Sequence, residues 1–491
     1  MFESAQVGHK LEKAEYRKRE PRLRQDLLEV QYELLEKASF PVVVLVNGVA
    51  GAGKGETVNL LNEWMDPRHI RTHAFGPVTD EEGGRPEMWR FWRALPPKGR
   101  IGIHFGSWYT DPIVSRVMGR EKRAAFARRL ERIRRFERML AAEGAVVLKV
   151  WLHLSKDAQK KRFRKLAADP RTAWRVSKYH WAHHKRYEEF VDVCEDALRE
   201  TSTGEAPWHI VDGSNAEYRS IAVGQLLLET LRHRLKGGAP AVAPPPPPPA
   251  APLDGRDVLL NLDYKATLPR KRYENRLADA QARLAALTRK KAMKSRSLVA
   301  VFEGMDAAGK GSTIRRLTRA IDARFYRVIP VAAPTDEERA QPYLWRFWRH
   351  VPRPGEAVIF DRSWYGRVLV ERVEGFCRES DWMRAYHEIN DFESQLAEAG
   401  AIVVKFWLAV TPEEQLRRFK EREKTPHKRF KITDEDWRNR KKWPAYERAI
   451  CDMVERTSTD LAPWNLVAAN DKLHARVAVI ERLCERIEAR L

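Results

Sequence analysis

Cysteine is scarce in this chain, with four residues in 491, and they are widely separated. They form no Cys-x-x-Cys pair, which excludes the usual zinc-ligand spacings and is typical of reduced, cytoplasmic proteins. Long apolar runs are also missing, since Pro41–Val46 falls well short of the ~18 residues that a membrane-spanning helix needs. The first ten residues lack the apolar core of a secretory signal. We therefore expect a cytoplasmic protein with no membrane partner.

Acidic residues are outnumbered, with 68 Asp and Glu against 90 Lys and Arg, giving a formal net charge of +22. Such an excess favours a polyanionic partner, and nucleic acid, an acidic membrane surface and an inorganic phosphate chain all meet that description. The chain is 43% hydrophobic and has 16 Trp, which excludes a disordered polycation. Charge alone does not choose among these partners.

The sequence repeats itself at a constant offset of 256 residues. Gly48–Gly55 recurs as Gly304–Gly311, and Trp89–Trp92 recurs as Trp345–Trp348. Further pairs with this offset are Ser107–Tyr109 and Ser363–Tyr365, Lys149 and Lys405, Trp151 and Trp407, and Ala206–Trp208 and Ala462–Trp464. A common offset over so many markers indicates a tandem duplication of one domain.

Proline is concentrated between the two copies, where residues 244–249 are six consecutive prolines. Such a run favours an extended polyproline II spacer over a folded element. The predicted organisation is a domain over residues 1–236, a Pro-rich linker over 237–255, and a second domain over 256–491. Because each domain would replace one subunit, we expect the two copies to pack as a pseudo-dimer.

Each copy alternates strand-like and helix-like segments. In the second copy, apolar runs at Ser297–Phe302, Ala357–Phe360 and Ala401–Val410 predict buried parallel strands. The first of them leads into a glycine-rich segment followed by a helical pattern, while residues 267–295 predict an additional basic helix. This order predicts an α/β fold of the P-loop kinase type, with a parallel sheet flanked by helices.

The segment from Gly304 to Lys310 has the G-x-x-x-x-G-K spacing of a phosphate-binding loop. Glycines let backbone N–H groups turn towards phosphate oxygens, and the following helix N-terminus adds its positive dipole. Lys310 would reach the donor phosphates. The predicted phosphate-binding positions are Gly304, Ala307, Ala308, Gly309, Gly311, Ser312 and Thr313. Because Gly311 occupies the usual Ser/Thr position, the role of the two hydroxyls towards a metal stays open.

Two carboxylates are candidates for holding a metal ion. Asp306 lies inside the loop, where it would repel phosphate unless a cation lies between them. Binding its own backbone in a turn remains an alternative for Asp306. Asp361 follows a buried strand, as a Walker B carboxylate does, and Arg362 and Arg367 beside it could clamp phosphate oxygens. Glu371 and Arg372 are weaker members of this cluster.

The segment from residue 417 to residue 442 contains 12 Lys or Arg and 5 Asp or Glu. A mobile basic lid that closes over the phosphate loop fits this composition, and a solvated helix face fits it equally. The repeated Trp-Arg-Phe-Trp favours core packing over stacking on nucleic-acid bases.

The first copy has lost most of these groups. At the 256 offset, Ala50 replaces Asp306, Glu56 replaces Ser312, Phe105 replaces Asp361, Gly106 replaces Arg362 and Asp111 replaces Arg367. Lys54 and the glycines remain. Without either metal carboxylate the first copy is predicted to be a non-catalytic scaffold.

Three motifs together resemble the polyphosphate kinase 2 family. They are the loop Gly304–Gly311, the segment Asp361–Phe376 and the segment Thr457–Trp464. The fused repeat with a degenerate first copy is similar to the family's two-domain class II members, which are polyphosphate:AMP phosphotransferases.

The resemblance implies a thymidylate-kinase-like fold with a helical lid, dependence on Mg²⁺, and transfer of the terminal phosphoryl group of inorganic polyphosphate to AMP, giving ADP. It assigns the catalytic residues to the second copy: Asp306, Lys310, Asp361, Arg362 and Arg367. Asp306 and Asp361 would bind the metal. Lid residues Lys428, Arg429 and Lys431, with Glu371 and Arg372, would bind the phosphate chain. Self-association beyond the pseudo-dimer stays open.

Two other functions remain as alternatives. An ATP-dependent nucleotide or nucleoside kinase would use the same fold. A non-enzymatic nucleic-acid-binding module would explain the basic charge, but the chain has no recognisable nucleic-acid-binding motif, so we expect no nucleic-acid partner.

Overall fold

The computed structural model describes residues 1–238, 258–426 and 432–491, so nearly all of the predicted linker over 237–255 lies outside the described residues. The described residues divide into two compact units. One unit contains residues 1–78, 90–238 and 335–345, and the other contains residues 79–89, 258–334 and 346–491. Each unit therefore consists mainly of one sequence copy and also includes eleven residues of the other copy.

Each unit contains a parallel sheet of five strands. The first unit has β1 (Val42–Gly48), β2 (Ile70–Ala74), β3 (Ile101–Phe105), β4 (Val146–His153) and β5 (Trp208–Asp212), in the order β2-β3-β1-β4-β5. The second has β6 (Ser297–Gly304), β7 (Tyr326–Pro330), β8 (Ala357–Asp361), β9 (Ala401–Ala409) and β10 (Trp464–Ala468), in the equivalent order β7-β8-β6-β9-β10. The predicted duplicated α/β fold with parallel sheets is confirmed.

Helices cover both sheets. The first copy contributes α1 (Lys13–Lys37), α2 (Lys54–Trp64), α3 (Trp89–Ala94), α4 (Thr110–Val117), α5 (Arg123–Ala142), α6 (Lys156–Ala168), α7 (Lys178–Lys185), α8 (Tyr187–Thr201) and α9 (Ala216–Leu235). The second contributes α10 (Arg270–Thr288), α11 (Lys310–Thr318), α12 (Asp336–Arg339), α13 (Trp345–Trp348), α14 (Val370–Glu374), α15 (Glu379–Glu398), α16 (Pro412–Lys424), α17 (Asp434–Lys441), α18 (Trp443–Thr457) and α19 (Lys472–Glu488).

The sheet order places the candidate site. Strand β6 is central and pairs with β8 on one side and β9 on the other, with Phe302 opposite Asp361. In open parallel sheets, ligands bind at the carboxyl ends of the strands where the order reverses. The glycine-rich loop leaves β6 at that point, and Asp361 ends the neighbouring strand.

The repeated Trp-Arg-Phe-Trp segment lies in the protein core. Phe347 and Trp348 are each 1% exposed. The ring centroid of Trp348 lies 4.8 Å from that of Phe392 on α15. Core packing, rather than base stacking, accounts for this motif.

A buried polar network explains why Ser-Trp-Tyr and a strand lysine recur in both copies. The ammonium group of Lys405 donates to Glu393 Oε2 at 2.8 Å, Tyr365 Oη at 2.7 Å and the Thr457 carbonyl at 2.7 Å. Trp364 Nε1 donates to Glu393 Oε1 at 3.0 Å. In the first copy Lys149 donates to Glu137, Tyr109 and Thr201 in the same way. Burial lowers the pKa of Lys405, and Glu393 opposes the shift.

Removing this buried cation should be costly. We expect Lys405→Met to lower the free energy of unfolding by about 3–5 kcal/mol, because Glu393 would be left as a buried unpaired charge. Urea denaturation monitored by Trp fluorescence measures the change. Lys420→Met, at an exposed position on α16, is the control and should leave the transition nearly unchanged. Equal effects of the two substitutions would contradict this role of the network.

The first unit also buries a histidine that the second copy lacks. His104 is 0% exposed, and Phe360 occupies its equivalent position. Burial lowers the pKa of His104 to about 3, with His73 as a further cause. Because the unfolded imidazole has a pKa near ~6.5, unfolding takes up a proton at acidic pH. The neutral imidazole therefore costs no stability above pH ~6.5, and stability is lost as the pH falls towards ~3.

We expect His104→Phe to make the first unit less sensitive to acid. The urea midpoint of the variant should fall less than that of the unsubstituted chain between pH 6.5 and pH 4. His233→Gln, at an exposed histidine of the same unit, serves as the control. Parallel pH curves for His104→Phe and the unsubstituted chain would show that the predicted linkage is wrong.

Candidate active site

The phosphate loop of the second copy depends on two glycines. Gly304 has φ of 149°, and a Cβ there would lie 2.5 Å from the Leu408 carbonyl oxygen. Gly309, the N-cap of α11, has φ of 110°. Side-chain residues rarely adopt these backbone conformations, so the loop needs glycine at both positions. The result is a tight turn that places the N-terminus of α11 at the carboxyl edge of the sheet.

Lys310 bends back over this loop. Its Nζ donates to the Gly304 carbonyl at 2.6 Å and to the Met305 carbonyl at 3.4 Å. Burial lowers the pKa of Lys310, as does Arg362, and Asp306, Asp361 and Glu303 oppose the shift. The ammonium group is thus held where the loop closes, within electrostatic range of three carboxylates.

The structure brings the two predicted metal carboxylates together around Lys310. A Cβ on Gly311 would lie 3.7 Å from Asp361 Oδ2, so this carboxylate reaches the first turn of α11. Asp306 and Asp361 both raise the pKa of Arg362, against the effect of burial. The two carboxylates therefore act on the same two cations, Lys310 and Arg362.

Asp306 is oriented by two side chains. Arg362 Nη2 donates to its Oδ1 at 2.9 Å, and Asn439 Nδ2 donates to its Oδ2 at 2.9 Å. Arg362 itself has φ of 63° and donates its N–H to the Phe302 carbonyl at 3.0 Å. The turn after β8 thus aims the guanidinium at the loop. The sequence analysis missed Asn439, because this residue lies in the basic segment 417–442, which was interpreted from its charged residues alone.

Other loop positions bond mainly to the loop itself. Ser312 Oγ and Thr313 Oγ1 donate to the Gly309 carbonyl at 2.9 and 3.2 Å. Arg476 Nη2 donates to Ser312 Oγ at 3.3 Å. The Ala308 N–H donates to the Met305 carbonyl at 3.1 Å. Phosphate binding at these positions, and at Ala307, stays a prediction.

The remaining predicted arginines are ion-paired with carboxylates outside the phosphate loop. Arg367 Nε lies 3.0 Å from Glu371 Oε2, and these two side chains are only 13% and 19% exposed. Arg372 pairs with Asp452 on α18 at 2.8 Å and lies over the Trp382 ring at 4.2 Å. In the described part of the chain Arg372 therefore ties α14 to α15 and α18. The predicted phosphate contacts of Arg367, Glu371 and Arg372 stay predictions.

Only part of the predicted basic lid is described. Lys428, Arg429 and Lys431 lie outside the described residues. Helix α17 meets the loop through Asn439, and Arg440 Nη1 donates at 3.1 Å to Gln415 Oε1. Gln415 Nε2 in turn donates to the Asp306 carbonyl at 3.1 Å. Movement of this segment stays a prediction.

A third carboxylate was missed by the sequence analysis. Glu303 is 5% exposed on β6 and accepts a hydrogen bond of 2.8 Å from Ser363 Oγ. Burial raises the pKa of Glu303, while Lys310, Ser363 and Arg362 oppose the shift. The 256-residue offset could have identified Glu303. Its counterpart in the first copy, Asn47, is also polar and donates to Ser107 Oγ, the counterpart of Ser363 Oγ, at 2.8 Å.

A buried arginine fixes the back of the loop. Arg418 is 2% exposed, and its Nη1 donates to the Ala307 and Ala308 carbonyls at 2.9 and 3.1 Å. Its Nη2 donates to the Ala469 carbonyl at 2.6 Å, and its Nε donates to Glu414 at 2.6 Å. Within the basic segment, Arg418 thus holds the loop against the end of β10. Composition alone could not separate it from its solvated neighbours.

The comparison with known proteins decides the family. Residues 10–237 and residues 267–491 each match the sequence family described as Polyphosphate kinase 2. The chain belongs to the polyphosphate kinase 2 family.

Relatives extend over the whole length. The chain is 55% identical over 490 residues to the polyphosphate:AMP phosphotransferase of Pseudomonas aeruginosa. This alignment covers 100% of this chain and 99% of that protein. It is 37% identical over 485 residues to the polyphosphate:AMP phosphotransferase of Acinetobacter johnsonii, with 96% of each chain covered. A crystal structure of a polyphosphate kinase 2 from P. aeruginosa PA01 matches with a TM-score of 0.90 and 53% identity, over 100% of this chain and 99% of that one.

The two polyphosphate kinase 2 copies differ in the charged groups around their phosphate loops. Lys54 in the first copy keeps the geometry of Lys310, because its Nζ donates to the Gly48 and Val49 carbonyls at 2.8 and 3.0 Å. Burial lowers the pKa of Lys54 to about 8. The three carboxylates that face Lys310 are replaced by Asn47, Ala50 and Phe105. The first polyphosphate kinase 2 copy thus keeps the lysine and lacks the acidic groups.

An internal carboxylate lies among the arginines near the first loop. Glu56, in the first turn of α2, lies 2.6 Å from Arg162, 2.9 Å from Arg219 and 3.5 Å from Arg175. Arg219 Nη1 also donates to the Ala52 and Gly213 carbonyls at 3.4 and 3.1 Å. Arg219 of α9 therefore holds the first loop through hydrogen bonds to carbonyls, as Arg418 of α16 holds the second. Three arginines near the first loop therefore share one carboxylate, Glu56.

The carboxylates of the second copy supply some, but not all, of the ligands that a hard cation such as Mg²⁺ needs. No group of three or more His, Cys, Asp or Glu in residues 1–238, 258–426 and 432–491 could hold a metal ion by itself. Mg²⁺ in nucleotide-binding sites commonly takes one or two carboxylates and completes its shell with phosphate oxygens and water. Asp306 and Asp361 supply two such oxygen donors beside the loop. The residues therefore fit a cation shared with a phosphate substrate.

Among the described helices of this polyphosphate kinase 2 chain, none combines the length and apolar character required to cross a membrane.

Proposed function

We propose that this chain transfers the terminal phosphoryl group of inorganic polyphosphate to AMP, giving ADP. The supporting observation is the arrangement around Lys310. Asp306 lies in the same loop, and Asp361 and Arg362 at the end of β8 act on the same lysine. Relatives called polyphosphate:AMP phosphotransferases align over nearly the whole chain, which supports this choice of donor and acceptor.

The reaction requires little covalent chemistry from the protein's own side chains. The AMP phosphate has a second pKa near ~6 and is already an anionic nucleophile at neutral pH, so no strong general base is needed. One of its oxygens bonds to the terminal phosphorus while that atom's bond to the bridging oxygen breaks. The shortened polyphosphate leaves with the negative charge on that oxygen. Catalysis is then a matter of positioning and charge stabilisation.

The cations of the second copy provide that stabilisation. Lys310 and the N-terminus of α11 face the loop where the donor phosphates would bind. Arg362, held through Asp306, would contact the oxygens of the group in transfer. Asp306 and Asp361 would bind Mg²⁺, which would neutralise charge between donor and acceptor. Arg367, Glu371, Arg372, Lys428, Arg429 and Lys431 remain proposed contacts of the phosphate chain.

The two copies have different proposed roles. Residues 256–491 form the catalytic domain, because only this copy has carboxylates around its loop lysine. Residues 1–236 form a scaffold, and the pairing of Glu56 with three arginines supports this assignment. The four cysteines all lie within the described residues and form no disulfide there, which supports a cytoplasmic location.

A donor panel tests the proposal. The purified chain is incubated with Mg²⁺ and AMP, with either polyphosphate or ATP as donor, and ADP is measured by chromatography. Efficient ADP formation with polyphosphate alone is expected. Activity only with ATP would favour an ATP-dependent kinase, and salt-sensitive RNA binding without transfer would favour a nucleic-acid-binding protein.

A further inference from the structure

The first unit has a cationic pocket outside its phosphate loop. This pocket has a volume of about 570 Å³ and lies between the end of α4 and the start of α5. Its lining residues are Ser115, Arg120, Glu121, Lys122, Ala124, Ala125, Arg128 and Arg129. Four of them are basic and one is acidic.

The acidic residue of this pocket is already paired. Glu121 accepts from Arg129 Nη1 at 3.3 Å, and Arg129 Nη2 also donates to Asp111 at 2.7 Å. The side chains of Arg120, Lys122 and Arg128 are exposed and make no ion pair within the described ranges of the chain. Arg120 and Arg186 contribute, after burial and His180, to lowering the pKa of His183 on α7. The positive potential therefore extends from the pocket to α7.

In the second copy, the counterparts of two cations of this pocket are ion-paired. There Arg378 and Arg384, the counterparts of Lys122 and Arg128, both pair with Asp381 at 3.0 and 3.2 Å. Arg384 also pairs with Glu388 at 2.6 Å.

Several carboxylates of that region in the second copy have no acidic counterpart in the first. At the equivalent positions Glu371, Glu374, Asp381 and Glu388 are replaced by Ser115, Met118, Ala125 and Arg132. Phe376 is replaced by Arg120 as well. These differences make the first copy more positive, whereas Glu121 and Asp111, at the positions of Cys377 and Arg367, make it more negative. Several like charges at close range repel each other unless an anion lies among them.

We propose that this pocket binds inorganic polyphosphate at a non-catalytic site, so that the first copy holds part of a chain whose end reacts in the second copy. The inference rests on polyphosphate being the donor. Such a second contact raises the affinity for long chains without any change at the reacting phosphate.

The lining favours a phosphate chain over nucleic acid. Single-stranded nucleic acids bind through cations together with aromatic side chains that stack on the bases. No aromatic residue lines the pocket. Cations alone suffice for polyphosphate, because it carries a charge on every unit and has no bases.

The test compares donors of different length. In the full chain, Arg120→Ala/Arg128→Ala should raise the KM for long-chain polyphosphate about tenfold, or ~1.4 kcal/mol, and raise the KM for tripolyphosphate much less. Arg17→Ala/Arg24→Ala removes two exposed arginines of α1 in the same unit and should change neither KM. Arg120→Lys/Arg128→Lys keeps the charge and should retain most of the affinity.

Each outcome decides the inference. Unchanged KM values, or equal changes with both donors, would overturn the pocket assignment while leaving the proposed reaction intact. Competition by RNA that disappears with Arg120→Ala/Arg128→Ala would overturn it in favour of nucleic acid. No turnover of either donor by the unsubstituted chain would instead contradict the proposed function itself.

Discussion

Lys310→Ala is expected to lower the rate of ADP formation from AMP and polyphosphate by about 10²- to 10³-fold or more, while Lys54→Ala leaves most of the rate. Removing one preorganised charge from a transition-state site commonly costs this much. Lys310 faces Asp306, Asp361 and Glu303, whereas the counterparts of these carboxylates in the first copy are uncharged. Initial rates at saturating AMP measure both effects.

The two lysines form a matched pair. Each donates to the carbonyls of two residues in its own loop, so the loss of these hydrogen bonds is similar in both variants. Thermal unfolding of both variants controls for damage to the fold. Similar losses of rate in the two variants would mean that the first copy also supports catalysis, contrary to the scaffold assignment.

Asp361→Asn should slow transfer by a further large factor, on the order of 10²-fold, and raise the Mg²⁺ concentration needed for half-maximal rate. Asparagine has nearly the same shape but removes the negative charge that a hard cation prefers. Rates over a Mg²⁺ titration, with free Mg²⁺ corrected for binding to polyphosphate, report both changes.

An exposed carboxylate provides the control. Asp434→Asn, on the first turn of α17, makes the same chemical change at an exposed position and should leave the titration unchanged. If Asp361→Asn also left the Mg²⁺ dependence unchanged, Asp361 would not be a metal ligand.

The sequence was most informative where local chemistry permits few alternatives. Gly304 and Gly309 require backbone conformations that other residues rarely adopt, so the loop could be predicted from its glycine spacing, and the strand before it from its apolar run. The offset of 256 residues then allowed each residue of the second copy to be compared with its counterpart in the first. Aligning the two copies at that offset places Ala50 and Phe105 opposite Asp306 and Asp361, so the loss of both carboxylates is visible in the residue types alone.

The residues that were missed depend on tertiary pairing. Glu303 belongs to a mostly apolar strand, and its hydrogen bond from Ser363 and its effect on Lys310 arise only in the folded chain. Arg418 belongs to a basic segment, yet it is almost fully buried, since it holds carbonyls from two separate loops. Arg372 was predicted from its sequence neighbourhood as a phosphate contact, which stays a prediction, while its ion pair with Asp452 could not be predicted. Partner choice of this kind follows from packing rather than from local pattern.

The most direct measurement of the central claim is ³¹P NMR of the purified chain with Mg²⁺, AMP and polyphosphate in the absence of ATP. The account predicts that the ADP signals grow as the signal of internal chain phosphates falls, one internal phosphate for each ADP formed, with no release of orthophosphate. Orthophosphate in place of ADP, or ADP only after ATP is added, would contradict it.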